Sequence, residues 1–334
     1  MKKRILWIDL LRITGIIGVM LMHIVGNTKN TFGNLQEQAN NIYSFICIIA
    51  EYAVPLFIMI SGAMFLRKGI ISYKEMFNKY IKKIIISLIF FGTIMIIIEE
   101  FYTTKTINTS IIKTIIIKLL TGDLWAHMWY LYLIIGLYLI TPVLTRITNN
   151  IEKKEFTIFL TILFILTIIL NTINNYLNII IIFNSISISG YIFYYFYGYY
   201  LYKYDISKKY KIITYLLSFL SFICILFIVK NKPDTLLEYT SFIPFIISSS
   251  IFISLKNNQF NKCTKLITSI GTHSYGIYII HQFYINIIYK FIKLKYIIYH
   301  PYIGIILYFI VIFTCSYLTI FILKKFKIID KYLL

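Results

Sequence analysis

This chain is short of charge. Only 14% of its 334 residues are Asp, Glu, Lys or Arg, against roughly 25% in a soluble globular chain. Fifty-nine per cent are hydrophobic (59%), and the mean hydropathy is +0.78. That balance excludes an ordinary soluble enzyme or binding module. Acidic residues are scarcer still: 13 against 33 Lys and Arg, a net charge of +20. Such an excess would suit nucleic acid, but the basic residues fall between hydrophobic runs, where the positive-inside rule puts them, so no nucleic-acid partner is expected. There are four cysteines, Cys47, Cys224, Cys263 and Cys315. They form no Cys-x-x-Cys pair and no Cys/His spacing suited to a metal, so neither a disulfide nor a metal site is expected. Met1 to Arg4 before an apolar run imitates a signal peptide, yet no small-residue cleavage site follows, and Asp9 and Arg12 interrupt the run. An uncleaved first span is the expectation. Internal repeats, soluble linkers and an appended soluble domain are also missing, so residues 1–334 read as a single integral-membrane domain.

What the chain does have is a succession of apolar runs long enough to cross a bilayer. Ten spans are expected, at about 5–25, 42–66, 81–98, 126–144, 156–173, 186–202, 212–229, 236–255, 266–289 and 302–323. The fold class is therefore all-α, a polytopic helical bundle with about ten transmembrane helices. With the N-terminus placed in the cytoplasm, cytoplasmic Lys and Arg exceed outer ones by more than two to one, which predicts a cell-membrane protein with both termini cytoplasmic. The polar stretch 27–41 reads as an outer loop. The stretch 107–120, interrupted by Lys113 and Lys118, reads as an interfacial or re-entrant helix.

The first span is unusual. Asp9, Arg12 and His23 lie within it, and ionisable groups in a span are normally kept only where they face a bundle interior or a wet cavity. At about 100° per residue, Arg12 and His23 are offset by only about 20°, with Asp9 about 60° from Arg12. One helix face thus carries a carboxylate, a guanidinium and an imidazole. Arg12 is always charged and must be paired or solvated; Asp9 at i−3 is the obvious partner, and Glu51 of the second span is another. Gly15 and Gly18 clear space between Arg12 and His23 for a second helix or for a ligand. His23 can take and return a proton near neutral pH. Pro55 should kink the second span. The following loop is strongly basic, with Arg67, Lys68, Lys74, Lys79, Lys82 and Lys83; it serves either as a membrane anchor or as a cradle for phosphates. His127 and Trp129 open the fourth span at about the level of His23. The ninth span adds His273 and the deeper His281.

Taken in order, these stretches resemble the acyltransferase-3 family of integral-membrane acyltransferases. Arg12, ten intervening residues and His23 look like the family's Arg-x10-His signature on its first helix. Phe57 to Gly62 is similar to its Ser-Gly-Phe stretch, with Ala63 replacing the Phe. Lys79 to Lys83 looks like its basic run, with lysines where arginines are common. His127 to Tyr132 and Ser274 to His281 resemble two further stretches of its surface-polysaccharide O-acetyltransferase branch. The resemblance implies transfer of an acyl group, usually acetyl from cytoplasmic acetyl-CoA, to a hydroxyl of a cell-surface carbohydrate or its lipid-linked precursor. The expected roles are His23 and Arg12 as the catalytic pair, with Asp9, Glu51 and His281 in support. Arg67, Lys79, Lys82 and Lys83 would hold the acetyl-CoA phosphates, and His127 and Trp129 would face the acceptor. His23 would act as general base or as covalent acetyl carrier. The partners implied are acetyl-CoA, a glycan or other hydroxyl acceptor, and the lipid bilayer. From the residues alone, a transporter or exporter of a polysaccharide or lipid-linked glycan also fits.

Overall fold

The computed structural model describes residues 4–32, 36–106, 111–177, 190–231, 237–256, 258, 263–292 and 295–334, and among them there is no strand. Ile, Thr and Tyr, abundant here, are weak helix formers in water. In hydrocarbon, however, an unpaired backbone amide costs several kcal/mol, and a helix is the structure that satisfies every amide within its own segment. The elements are α1 (Leu6–Phe32), α2 (Glu37–Ala50), α3 (Ala53–Leu66), α4 (Tyr73–Met76), α5 (Lys82–Thr104), α6 (Ile111–Thr121), α7 (Trp129–Asn150), α8 (Lys153–Phe164), α9 (Leu170–Leu177), α10 (Gly190–Lys203), α11 (Lys208–Asn231), α12 (Phe242–Leu255), α13 (Thr264–Asn286), α14 (Tyr296–Tyr299), α15 (Pro301–Leu323) and α16 (Lys327–Tyr332). Wide π turns at Phe77–Ile81 and Ile165–Ile169 join α4 to α5 and α8 to α9, and a third at Ile287–Ile292 continues α13.

Each of the ten expected spans corresponds to helix, although 186–189 of the sixth and 236 of the eighth lie outside the described residues. Seven helical segments among the described residues are long and apolar enough to cross a membrane. α10 and α12 are 14 residues each, about 21 Å against a core of about 30 Å. α13 is long enough, but histidine, serine, threonine and glutamine lower its hydropathy. The chain is a multi-pass helical membrane protein. Leu216, Phe219, Leu220, Ile223 and Phe227 of α11 are exposed, which suits a lipid-facing helix.

Two expectations change. The outer loop expected at 27–41 is mostly helix. α1 runs on to Phe32, because Asn27 donates to the carbonyl of His23 (2.7 Å) and Thr28 to that of Ile24 (2.9 Å), so these polar side chains are satisfied on the helix itself. The second span is split at Glu51 and Tyr52. Pro55 has no N–H for the carbonyl of Glu51 and crowds it, and the chain there closes tighter bonds, Glu51 to Ile48 and Tyr52 to Ile49. The expected interfacial helix is α6, with Ile112, Ile116 and Leu120 exposed; residues 107–110 of that stretch lie outside the described residues.

α1 stands at the centre, packed against α2, α3, α12, α13 and α15. Gly15 and Gly18 admit a helix: a Cβ at Gly15 would lie 2.8 Å from the ring of Phe57, and one at Gly18 would lie 3.0 Å from Ala53 and Tyr52. The closest approach is between α3 and α10. A Cβ at Gly62 would fall 1.8 Å from the carbonyl oxygen of Tyr195, and one at Gly198 would fall 2.1 Å from that of Met59. Backbone, unlike a side chain, cannot swing aside. Gly62→Ala should therefore force α3 and α10 apart at a cost of roughly 1–3 kcal/mol. Thermal unfolding in detergent should show a lower Tm, and an unchanged Tm would contradict this packing.

Candidate active site

The site is built along α1, from one end to the other. At its first turn Asp9 is fully buried, at 0% exposure. Arg4 grips it with two nitrogens, Nε to Oδ2 at 2.6 Å and Nη2 to Oδ1 at 3.0 Å. Arg12 Nη1 reaches the same Oδ1 at 3.1 Å. A carboxylate between two guanidinium groups is charge-compensated, and the forked Arg4 contact also fixes its orientation. Arg12 remains about one-third exposed, with 32% of its side chain accessible.

That exposure opens into a cavity of about 460 Å³ lined by Arg12, Ser61, Lys68, Lys79, Lys83, Tyr130, Tyr138, Tyr275 and Tyr278 among others. Its lining holds four cations and no carboxylate side chain, so its field favours an anion. Lys79 and Lys83 are four residues apart on the π turn and the start of α5, which puts them on one face. Lys82 is one residue out of register, exposed, and absent from the lining. Arg67 turns away as well: it donates to the hydroxyl of Tyr202 (3.0 Å) and lies over that ring. Lys68, held by Tyr80 (2.8 Å), takes the place expected for Arg67.

A second cavity, of about 600 Å³, lies at the other end of α1. His23, Asn27, Lys29, Glu51, Tyr191, Tyr239 and Gln282 are among its lining. Glu51 is therefore a neighbour of His23 and not of Arg12. Its Oε1 accepts from the N–H of Leu237 (3.1 Å), while Oε2 is buried without a hydrogen-bond partner among the described residues. The reason is topological: α3 runs antiparallel to α1, so Glu51 at its head meets the His23 end and Ser61, ten residues on, meets the Arg12 end. Trp129 backs the cavity wall, stacked on Tyr239 with ring centroids 5.6 Å apart.

Between the cavities stand three histidines. The ring centroids of His23, His127 and His281 are 6.2, 5.3 and 5.1 Å apart. His127 and His281 are buried, at 1% and 0% exposure. His23 is half-buried and reaches the cavity. Tyr278 and Tyr130 pack beneath the cluster and face the Arg12 cavity. The hydroxyl of Tyr278 donates to the carbonyl of His127, tying the turn before α7 to α13. His273 is elsewhere, bonded to the carbonyl of Ser269 (2.6 Å) and packed on Tyr317. Among the described residues no group of His, Cys, Asp and Glu could hold a metal ion, and the four cysteines are free thiols.

A comparison with protein-family models matches residues 5–321 to the acyltransferase domain of the acyltransferase-3 family. The chain belongs to the acyltransferase-3 family. Comparison with curated proteins and with solved structures finds no match. The match runs from before Asp9 into the last turn of α15, so the histidine cluster, the second cavity and all but Leu334 of the first cavity's lining in this membrane acyltransferase lie within the family domain.

Sequence reasoning missed Arg4, which it counted only as an anchoring charge; its spacing of five from Asp9 is not a helical contact pattern, so no periodicity signals it. It named Lys68 in the basic loop but assigned the phosphates to Arg67 instead, and it missed Tyr130 and Tyr278, which lie inside quoted motifs but look like belt aromatics. Asp9→Asn removes the charge that compensates both arginines. Because the arginines are partly exposed, the loss should fall at or below the lower end of the cost of breaking a buried pair, roughly 2–3 kcal/mol. Arg4→Ala leaves Asp9 with Arg12 alone and should also lower the Tm in the same unfolding measurement; an unchanged Tm would show that Asp9 does not depend on this clamp.

Proposed function

We propose that this acyltransferase is an O-acetyltransferase that moves acetyl from cytoplasmic acetyl-CoA to a hydroxyl of a cell-surface carbohydrate or its lipid-linked precursor. The reading rests on the placement of a cationic cavity and an aromatic-walled cavity of mixed charge at opposite ends of one helix, with His23 between them. In this reading the protein lies in the cell membrane with both termini cytoplasmic, so the Arg12 cavity faces acetyl-CoA. Lys68, Lys79 and Lys83 suit its phosphates as point charges. Arg12, held by Asp9, is oriented toward the interior, where it stabilises negative charge on the donor as the thioester is attacked.

The acceptor enters from the other side. Glu51 Oε2 and Gln282 Oε1 are buried acceptor atoms without partners among the described residues, and hydroxyl groups are the donors they call for. Tyr239, Tyr191 and the Trp129 behind them offer the flat apolar faces that a sugar ring covers. His23 takes the proton of the attacking hydroxyl, as a general base, and the carbonyl carbon passes from sulfur to oxygen.

The assay is transfer of radiolabel from acetyl-CoA to the glycans of membranes from cells producing the protein. His23→Ala should reduce transfer by about 10²-fold or more at matched expression. Lys79→Glu with Lys83→Glu should raise the KM for acetyl-CoA with a smaller change in the maximal rate. Undiminished transfer by His23→Ala would remove His23 from the mechanism, and glycan export without any need for acetyl-CoA would identify a carrier instead.

A further inference from the structure

His127 and His281 are not free to choose their tautomers. The Nδ1 of His281 lies 2.6 Å from the carbonyl oxygen of Tyr278, and the Nε2 of His127 lies 3.0 Å from that of Ile279. A carbonyl only accepts, so each of these nitrogens carries the hydrogen. In the neutral ring the lone pair then sits on the other nitrogen: Nε2 of His281 and Nδ1 of His127. Both atoms are buried, and neither has a hydrogen-bond partner among the described residues. Buried acceptors are normally satisfied; here two are left open within a cluster whose third member, His23, reaches the cavity. One helix sets this arrangement. α13 supplies His281, both carbonyls, and the Tyr278 hydroxyl that holds the backbone of His127.

We infer that His127 and His281 are positioning residues that receive the proton taken up by His23. The inference rests on the acyltransferase reading above. The acceptor oxygen forms a bond to the acyl carbon, and the carbon–sulfur bond breaks, with its electron pair leaving on sulfur. The hydroxyl proton passes to His23, and the N–H of the resulting imidazolium is shared with the lone pairs of His281 Nε2 and His127 Nδ1. It ends on the departing thiolate, giving a free thiol and three neutral rings. Spreading one positive charge over three imidazoles and two backbone carbonyls lowers the cost of forming it away from water. The same arrangement explains why hydrophobic side chains do not occupy these two positions.

Two measurements test this. The first is nitrogen NMR of ¹⁵N-histidine-labelled wild-type protein in nanodiscs, which needs no activity. His281 should be the Nδ1–H tautomer and His127 the Nε2–H tautomer, each with its second nitrogen free of a hydrogen; the opposite tautomers would overturn the inference. The second uses radiolabelled acetyl-CoA and the membrane-glycan assay. His127→Gln and His281→Gln should each lower the maximal rate by about tenfold or more, leave the KM for acetyl-CoA unchanged, and respond to added imidazole. A merely structural role predicts no imidazole rescue. Unchanged maximal rates in both variants would overturn the inference while leaving the acyltransferase reading intact. If the wild type transfers no acetyl from acetyl-CoA, that reading falls, and the NMR result decides the cluster by itself.

Discussion

A carboxylate buried to 0% exposure in the first turn of a membrane helix is the constraint on which the site depends. Moving such a charge out of water is costly unless cations replace the water. Two arginines, Arg4 and Arg12, do so together. The consequence reaches beyond stability. Arg12 is held with its remaining surface turned into the cationic cavity. Helix periodicity puts His23, eleven residues on, on almost the same face, and the packing of α1 against α3 and α13 sets where that face points. The two ends of the site thus lie on one helix.

The helix packing then keeps the two ends apart. Gly15 and Gly18 bring α3 against the middle of α1, closing the stretch between Arg12 and His23 that a ligand could otherwise occupy. Phe57, Tyr130 and Tyr278 fill what remains. The result is a pair of cavities with a thin aromatic and imidazole partition between them. Such an arrangement lets a charged donor and a neutral acceptor approach one reacting atom without sharing an aqueous path, which fits a membrane acyltransferase whose domain spans residues 5–321.

Much of this was legible in the chain. The helical spans follow from runs of apolar residues, and the shared face of Asp9, Arg12 and His23 follows from helix periodicity. The motif stretches carried the family. What could not be read was the pairing between distant elements. Glu51 is sixteen residues ahead of Arg67 in sequence, but nothing in that spacing reveals that one meets Leu237 and the other Tyr202. The assembly of His127 and His281 with His23 depends on α1, α13 and the turn before α7 meeting, and a single sequence contains no distance between them. Asn27 and Thr28 misled for another reason: polarity reads as loop, yet both bond their own helix backbone. Lys68 was hidden because one residue of helical rotation decides whether it or Arg67 faces the cavity.

If donor and acceptor meet across this partition as proposed, a cryo-electron-microscopy structure of the protein in nanodiscs at saturating coenzyme A should show the phosphates beside Lys68, Lys79 and Lys83, with the thiol end passing Arg12 toward Tyr130 and Tyr278. Coenzyme A bound elsewhere, or an Arg12 cavity left empty at saturation, would contradict it.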